Sequence, residues 1–264
     1  MKRRPQPNLS IARRRWLQRA LLVGSSMILG ACDRVARSER VGSTLNLAEG
    51  WTRTAQRLLL GRHALAREYA EEDISTNFPA NGTTQPDTGD YLRHLDNRFA
   101  DWRLSIGGLV ERPLEISLAE LRAMPSRSQI TRHDCVEGWS AIAKWRGVPL
   151  SAMLARAGLK SSARYVAFHC ADVPELTLDG TGQYYETIDL VDAMHPQTIL
   201  AYDMNDRPLT VPHGAPLRLR LERQLGYKMA KYIMRIEAIE SFRGMGLGKG
   251  GFWEDRGYEW YAGI

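Results

Sequence analysis

Short apolar stretches broken by turn residues organise most of this chain. Trp102 to Val110 (WRLSIGGLV) has strand character and Arg164 to Cys170 (RYVAFHC) reads as a buried strand. Further strands are predicted over Ser128 to Val136, Leu217 to Leu221 and Tyr232 to Glu240. Between them lie short helical signals. Ser117 and Glu120 form a capping-box start for a helix ending before Pro125, and Pro149 to Ala157 reads as a helix closed by Gly158. Leu200 to Met204 leads into a turn at Asn205-Asp206-Arg207-Pro208. Strands mixed irregularly with short helices point to an α+β fold, not a doubly wound sheet.

The N-terminal quarter follows other patterns. Leu45 to Tyr69 carries Leu47, Trp51, Ala55, Leu58, Leu59 and Leu65 at helical spacing, which predicts one amphipathic helix packed on the domain. From Ile74 to Asp90, Asn77, Pro79, Asn81, Gly82, Pro86 and Gly89 break any regular element, and a loop this long in a compact domain is more often functional than idle. Ahead of the helix, a basic start, the apolar run Ala20 to Gly30 and small residues make the three parts of an export signal, with a run too short to span a bilayer. Arg13-Arg14-Arg15-Trp16-Leu17 resembles a twin-arginine motif, and Leu29-Gly30-Ala31-Cys32 a lipobox. The alternative is a plain signal peptide with an incidental Cys32. The chain thus divides into a signal over 1–31, a tether and helix over 32–73, and one catalytic domain over 74–264. The expected location is the periplasmic side of a bacterial inner membrane, held only by lipid at Cys32.

Charge changes the picture of partners. The formal net charge is +6, but residues 1–31 hold seven Lys and Arg and no acid, so removing them leaves −1. The mature protein has no basic surplus for nucleic acid. With Cys32 spent on the leader, Cys135 and Cys170 remain in an oxidising compartment, where they could form a disulfide or act as a thiol redox pair.

Signatures for nucleotide loops, Rossmann dinucleotide binding, zinc proteases, covalent haem and serine nucleophile elbows are all missing. What remains is Cys135 in the segment Arg132-His133-Asp134-Cys135-Val136-Glu137-Gly138-Trp139-Ser140. Cations at Arg132 and His133 would stabilise a thiolate, the form that binds a soft metal; a buried structural cysteine fits the residue types equally well.

The segment HDCVEGWSAIAKWRGVPL resembles the molybdenum-ligand segment of the sulfite oxidase family, particularly its methionine sulfoxide reductase branch, with Gly138 where an Ala is usual. LAYDMNDRPLTVPHGAPLRLRLERQLGYKMAKYIMRIEAIE is similar to that family's pterin-holding stretch, and GFWEDRGYEWYAGI to the ending of its short bacterial members. The resemblance implies a sulfite-oxidase-type domain of mixed sheets and short helices with molybdopterin as its cofactor. Cys135 would be the metal thiolate. His213, Arg218, Met229, Ala230 and Lys231 would hold the pterin and its phosphate, with Asn81 in the covering loop and Cys170 where the family has a cofactor-touching Thr. Tyr184 would be the catalytic tyrosine, with Tyr185 as the alternative.

The resemblance further implies two-electron oxygen-atom transfer. Val136, Glu137 and Gly138 stand where animal sulfite oxidases place anion-binding arginines, which favours a neutral sulfoxide over sulfite, the alternative substrate. Without a haem motif of its own, the chain would exchange electrons with a membrane b-type cytochrome. Lacking the family's usual C-terminal dimerisation domain, it is expected to be a monomer.

Overall fold

A computed structural model describes residues 50–59, 61 and 63–264. The predicted signal, the tether and the start of the helix lie outside the described residues. Two compact units are distinguished, Met1–Ala55 and Gln56–Ile264. In the first, residues 50–55 are helical, and the Thr54 hydroxyl donates to the Gly50 carbonyl at 2.7 Å.

In the second unit, the helix expected through Tyr69 stops early. Residues 56–59 are helical, Gly61 takes a φ of +70°, and Glu68 already bridges Thr131 as extended chain. Leu58, Leu59 and Leu65 are exposed, so the leucine spacing does not mark a buried stripe. Arg57 fixes the segment instead, through ion pairs to Asp189 and Asp192.

Two sheets and short helices make up the rest. The elements are α1 (Gly89–Asp96), β1 (Arg103–Gly108), β2 (Leu114–Ser117), α2 (Leu118–Ala123), β3 (Arg127–Asp134), β4 (Ser140–Pro149), α3 (Leu150–Ala157), β5 (Tyr165–Cys170), β6 (Tyr185–Asp189), α4 (Leu190–Ala193), β7 (Ile199–Met204), β8 (Arg207–Pro208), β9 (Arg218–Arg220) and β10 (Ile233–Ile239). One sheet runs β2-β1-β10-β5-β6, with β1 and β10 parallel and the other pairs antiparallel. The other runs β3-β4-β7-β8, with β9 also paired to β7.

Every strand expected from the sequence forms, and the α+β class stands. The capping box is present in both directions, Glu120 accepting the Ser117 amide and Ser117 accepting the Glu120 amide. Asn205 and Asp206 both adopt positive φ, the geometry of a tight hairpin turn joining β7 to β8.

One core gathers Leu104, Ile106, Val166, Phe168 and Ile236 of the first sheet with Leu200, Tyr202 and Leu219 of the second. A smaller core of Phe78, Ala143, Trp145 and Ala201 links the second sheet to the loop expected over 74–90, which is irregular through 88, while Gly89 and Asp90 open α1 instead of breaking it. Its Phe78 anchors the loop against His133 of β3 and Trp145 of β4.

Candidate functional site

β3 delivers Cys135 to a tight turn. The Cys135 amide donates to the Trp139 carbonyl at 2.9 Å, the Gly138 amide donates to the Cys135 carbonyl at 3.0 Å, and Gly138 has a φ of +90°. Cys135 lines a cavity of about 440 Å³, a size typical of small-molecule sites. The 74–90 loop adds Asn81, Gly82 and Thr83; the ends of β5 and β6 add Asp172 and Tyr184; the Gly226–Lys228 turn and its sequel add Tyr227, Met229 and Lys231; the C-terminal segment adds Trp253 and Tyr258. Five residues singled out from the sequence, Asn81, Cys135, Tyr184, Met229 and Lys231, therefore share one cavity.

The cations expected around the thiol are not there. Arg132 is drawn off to Asp134 at 3.0 Å. His133 is fully buried, and burial together with Arg220 and Arg218 holds its ring well below the usual imidazole range, so it is neutral. Burial pushes the Cys135 thiol up and Glu137 adds to this, opposed by the Glu137 and Val136 amides. The protein alone leaves a thiol, and a bound metal would make it a thiolate.

Lys231 donates to three carbonyls, those of Asn81 at 2.7 Å, Thr83 at 2.5 Å and Pro212 at 3.1 Å, which tie the covering loop to the floor. Burial and Arg218 draw its pKa down to about 7. Arg218 is fully buried over the Trp145 ring and gives only Nη1 to a protein acceptor, the His213 carbonyl at 3.1 Å. Its Nε and Nη2 have no partner, and burial with Arg220 lowers its pKa to about 9. Two buried guanidinium donors without acceptors are a site for an anionic oxygen pair.

The remaining candidates are placed differently. The His213 ring is occupied on both sides, Nε2 donating to the Phe78 carbonyl at 3.0 Å and Nδ1 accepting from Thr210 at 2.8 Å. It braces the covering loop, and its carbonyl orients Arg218. Ala230 is fully buried, its carbonyl accepting the Leu219 amide. Cys170 is buried and borders a separate cavity with Tyr91, His169 and Gln183. Cys135 and Cys170 are both free thiols.

Tyr184 faces the main cavity with its hydroxyl on the Tyr227 carbonyl at 2.5 Å, whereas Tyr185, on the other side of the strand, donates to Asp255 at 2.7 Å. Burial, then Glu186, pushes the Tyr184 phenol well up, so it stays protonated. Sequence reasoning missed Asp172, which follows β5 without any motif around it. Its one signal is an acid straight after a buried apolar strand.

The residues present fit molybdopterin: one thiol at the wall of the cavity, and unpartnered buried donors for a phosphate on Arg218, whose charge acts on the lining Lys231. Among the described residues no group of three or more His, Cys, Asp or Glu could hold a metal ion.

Comparison with known proteins agrees. The family model described as the oxidoreductase molybdopterin binding domain matches residues 92–244. The YedZ1 protein of Azospira oryzae, named as a candidate subunit of protein-methionine-sulfoxide reductase, is 38% identical over 96% of this chain and 88% of its own. The catalytic subunit MsrP of the same kind of reductase from Xanthomonas axonopodis is 36% identical over 64% of this chain, which spans 54% of that protein.

Proposed function

The chain belongs to the sulfite oxidase family of molybdopterin-binding oxidoreductases and is a molybdenum-dependent enzyme, and on that footing we propose that it reduces a small neutral sulfoxide to the sulfide and water. The bound cofactor would supply the two-electron couple. Cys135 is the thiolate ligand. Arg218 and the Met229–Lys231 backbone hold the phosphate end, braced by His213, Asn81 and the Lys231 side chain that ties the covering loop down, with Cys170 packed behind. Tyr184 holds a proton at its Oη, shared with the Tyr227 carbonyl, and presents it to the departing oxygen.

The lining carries the choice of substrate. Glu137 and Asp172 are acids, Tyr184, Tyr227, Trp253 and Tyr258 are aromatic, and the lining cation Lys231 spends its donors on carbonyls. Such a wall repels sulfite and accepts an uncharged sulfoxide, the class of substrate named for the relatives.

Electrons would come from a membrane b-type cytochrome. The enzyme would sit on the periplasmic face of the inner membrane, exported by the twin-arginine route and anchored through Cys32; among the described residues no helix is long and apolar enough to cross a membrane. With reduced viologen as donor, the purified enzyme is expected to reduce a methyl sulfoxide and Cys135→Ala to do so only at background. An active Cys135→Ala variant, or an enzyme that oxidises sulfite and ignores sulfoxides, would overturn the reading. Anchoring is checked by Cys32→Ser, which should move the protein to the soluble fraction; a variant still bound after a salt wash refutes the anchor.

A further inference from the structure

Residues 79–85 form a strap that is bolted at both ends and fastened lightly between them. At one end Phe78 is buried among the rings of His133, Trp139, Trp145 and His213, and its carbonyl accepts from His213 Nε2 at 3.0 Å. At the other, Pro86 is buried, and the Thr88 hydroxyl donates to the Ala171 carbonyl at 3.1 Å where α1 begins. Between these anchors Asn81, Gly82 and Thr83 make part of the cavity wall, with Gly82 at a φ of +58°.

None of residues 79–85 shares a backbone–backbone hydrogen bond with another described residue. Side chains hold the strap instead. Lys231 Nζ donates to the Asn81 and Thr83 carbonyls at 2.7 and 2.5 Å, Tyr232 Oη donates to the same Thr83 carbonyl at 2.8 Å, and the Thr83 side chain approaches the Asp172 carboxylate. Lys231 lines the cavity, but Tyr232 does not: its ring is fully buried and stands edge-on to Tyr91 at 5.4 Å, so its hydroxyl serves the strap alone. A segment with fixed ends and few bonds between them opens locally at far lower cost than the sheets beneath it.

We propose that residues 79–85 are the lid through which the cofactor enters and leaves, with the Tyr232 hydroxyl and the Lys231 ammonium as its latch on the Thr83 and Asn81 carbonyls. This rests on the reading of the cavity as the molybdopterin site. The lid swings between the Phe78 and Pro86 anchors, which stay in place. Because the Tyr232 bond is to protein alone, it stabilises the closed lid equally in the empty and the filled protein. It therefore sets how fast the cofactor passes, and leaves unchanged how much is held at equilibrium.

The test is Tyr232→Phe, which removes the hydroxyl and keeps the buried ring. Four quantities are compared with wild type: the rate at which molybdenum and pterin leave the loaded protein, the rate at which cofactor-free protein takes up extracted molybdopterin, the final loading, and cleavage within residues 79–85 by proteinase K. Release and uptake should both rise by the same factor, about two- to tenfold for one hydrogen bond, with final loading unchanged. Cleavage of the cofactor-free protein should rise in step, since it follows the open population, and Lys231→Met should raise it further by giving up the Asn81 carbonyl as well. Release and uptake at wild-type rates overturn the proposal. So does faster release without faster uptake, which would make Tyr232 a cofactor contact, or a lower melting temperature with cleavage spread along the chain, which would make the hydroxyl a bond of the fold. Wild type purified without molybdenum and pterin would instead overturn the cavity reading itself.

Discussion

Arg218 illustrates how a charge can be placed for a partner at the expense of its own comfort. A guanidinium with no exposure, one hydrogen bond and a second arginine beside it is held at a desolvation cost that its aromatic contact with Trp145 only partly offsets. Arg218→Ala should therefore lower cofactor occupancy, weakening binding by about a hundredfold or more for two charge-assisted bonds of roughly 1.5–3 kcal/mol each. The cofactor-free variant should be no less stable in urea than wild type. Retained molybdenum together with a large stability loss would mean that the arginine serves the fold instead. The residue type and its motif were legible in the sequence, but its two idle donors were not, because they follow from what the fold leaves uncovered. The reverse held at Arg132 and His133. Next to Cys135 in sequence they promised cations, yet strand alternation sends one to a surface ion pair and buries the other as a neutral ring stacked on Trp139.

The Gly226–Lys228 turn shows why one element governs the site. Gly226 packs directly on the edge of His133: a Cβ there would lie 2.3 Å from His133 Nε2 and 3.3 Å from the Asp134 carbonyl. His133 cannot give way, because Arg220 holds its Nδ1 at 3.0 Å and Trp139 stacks on the ring. Gly226→Ala should accordingly shift the turn, cost about 1–3 kcal/mol by overpacking and reduce pterin content, since Tyr227, Met229 and Lys231 move with it. Normal melting and normal loading in that variant would show the contact to be slack. Elements with local signals were readable from sequence: the Ser117 capping box, the Gly158 helix end and the turn at Asn205-Asp206. β6 was not, because Glu186 sits among its buried positions and hides the strand in what reads as a polar stretch. β4 was obscured in another way, since its buried face is Ala141, Ala143 and Trp145, two of them too small to announce a core.

Across the whole molecule, the walls of the cavity are joined behind their faces by three buried ionisable side chains. Lys228 Nζ lies 2.5 Å from both Glu186 and Glu254 and also donates to the Thr187 carbonyl at 3.2 Å. Each of these residues stands beside a wall residue in sequence: Glu186 two after Tyr184, Lys228 between Tyr227 and Met229, Glu254 after Trp253. Two acids share one lysine out of water, and burial and then Glu254 push Glu186 well above the usual carboxylate range, so it keeps a proton. The sign of the pH dependence follows. The folded state binds a proton that the unfolded chain loses above the ordinary glutamate range, so stability falls as pH rises through and beyond that range. Glu186→Gln removes the proton uptake. It should match wild type near pH 5 and gain on it steadily toward pH 9. Lys228→Met should do the opposite, leaving two acids without a cation, costing about 3 kcal/mol or more and widening its deficit as pH rises. Urea melts of the three proteins across that range decide the matter: parallel curves would mean that the cluster carries no shared proton, whereas divergence in opposite directions would show one proton and one lysine holding three walls of the cavity together.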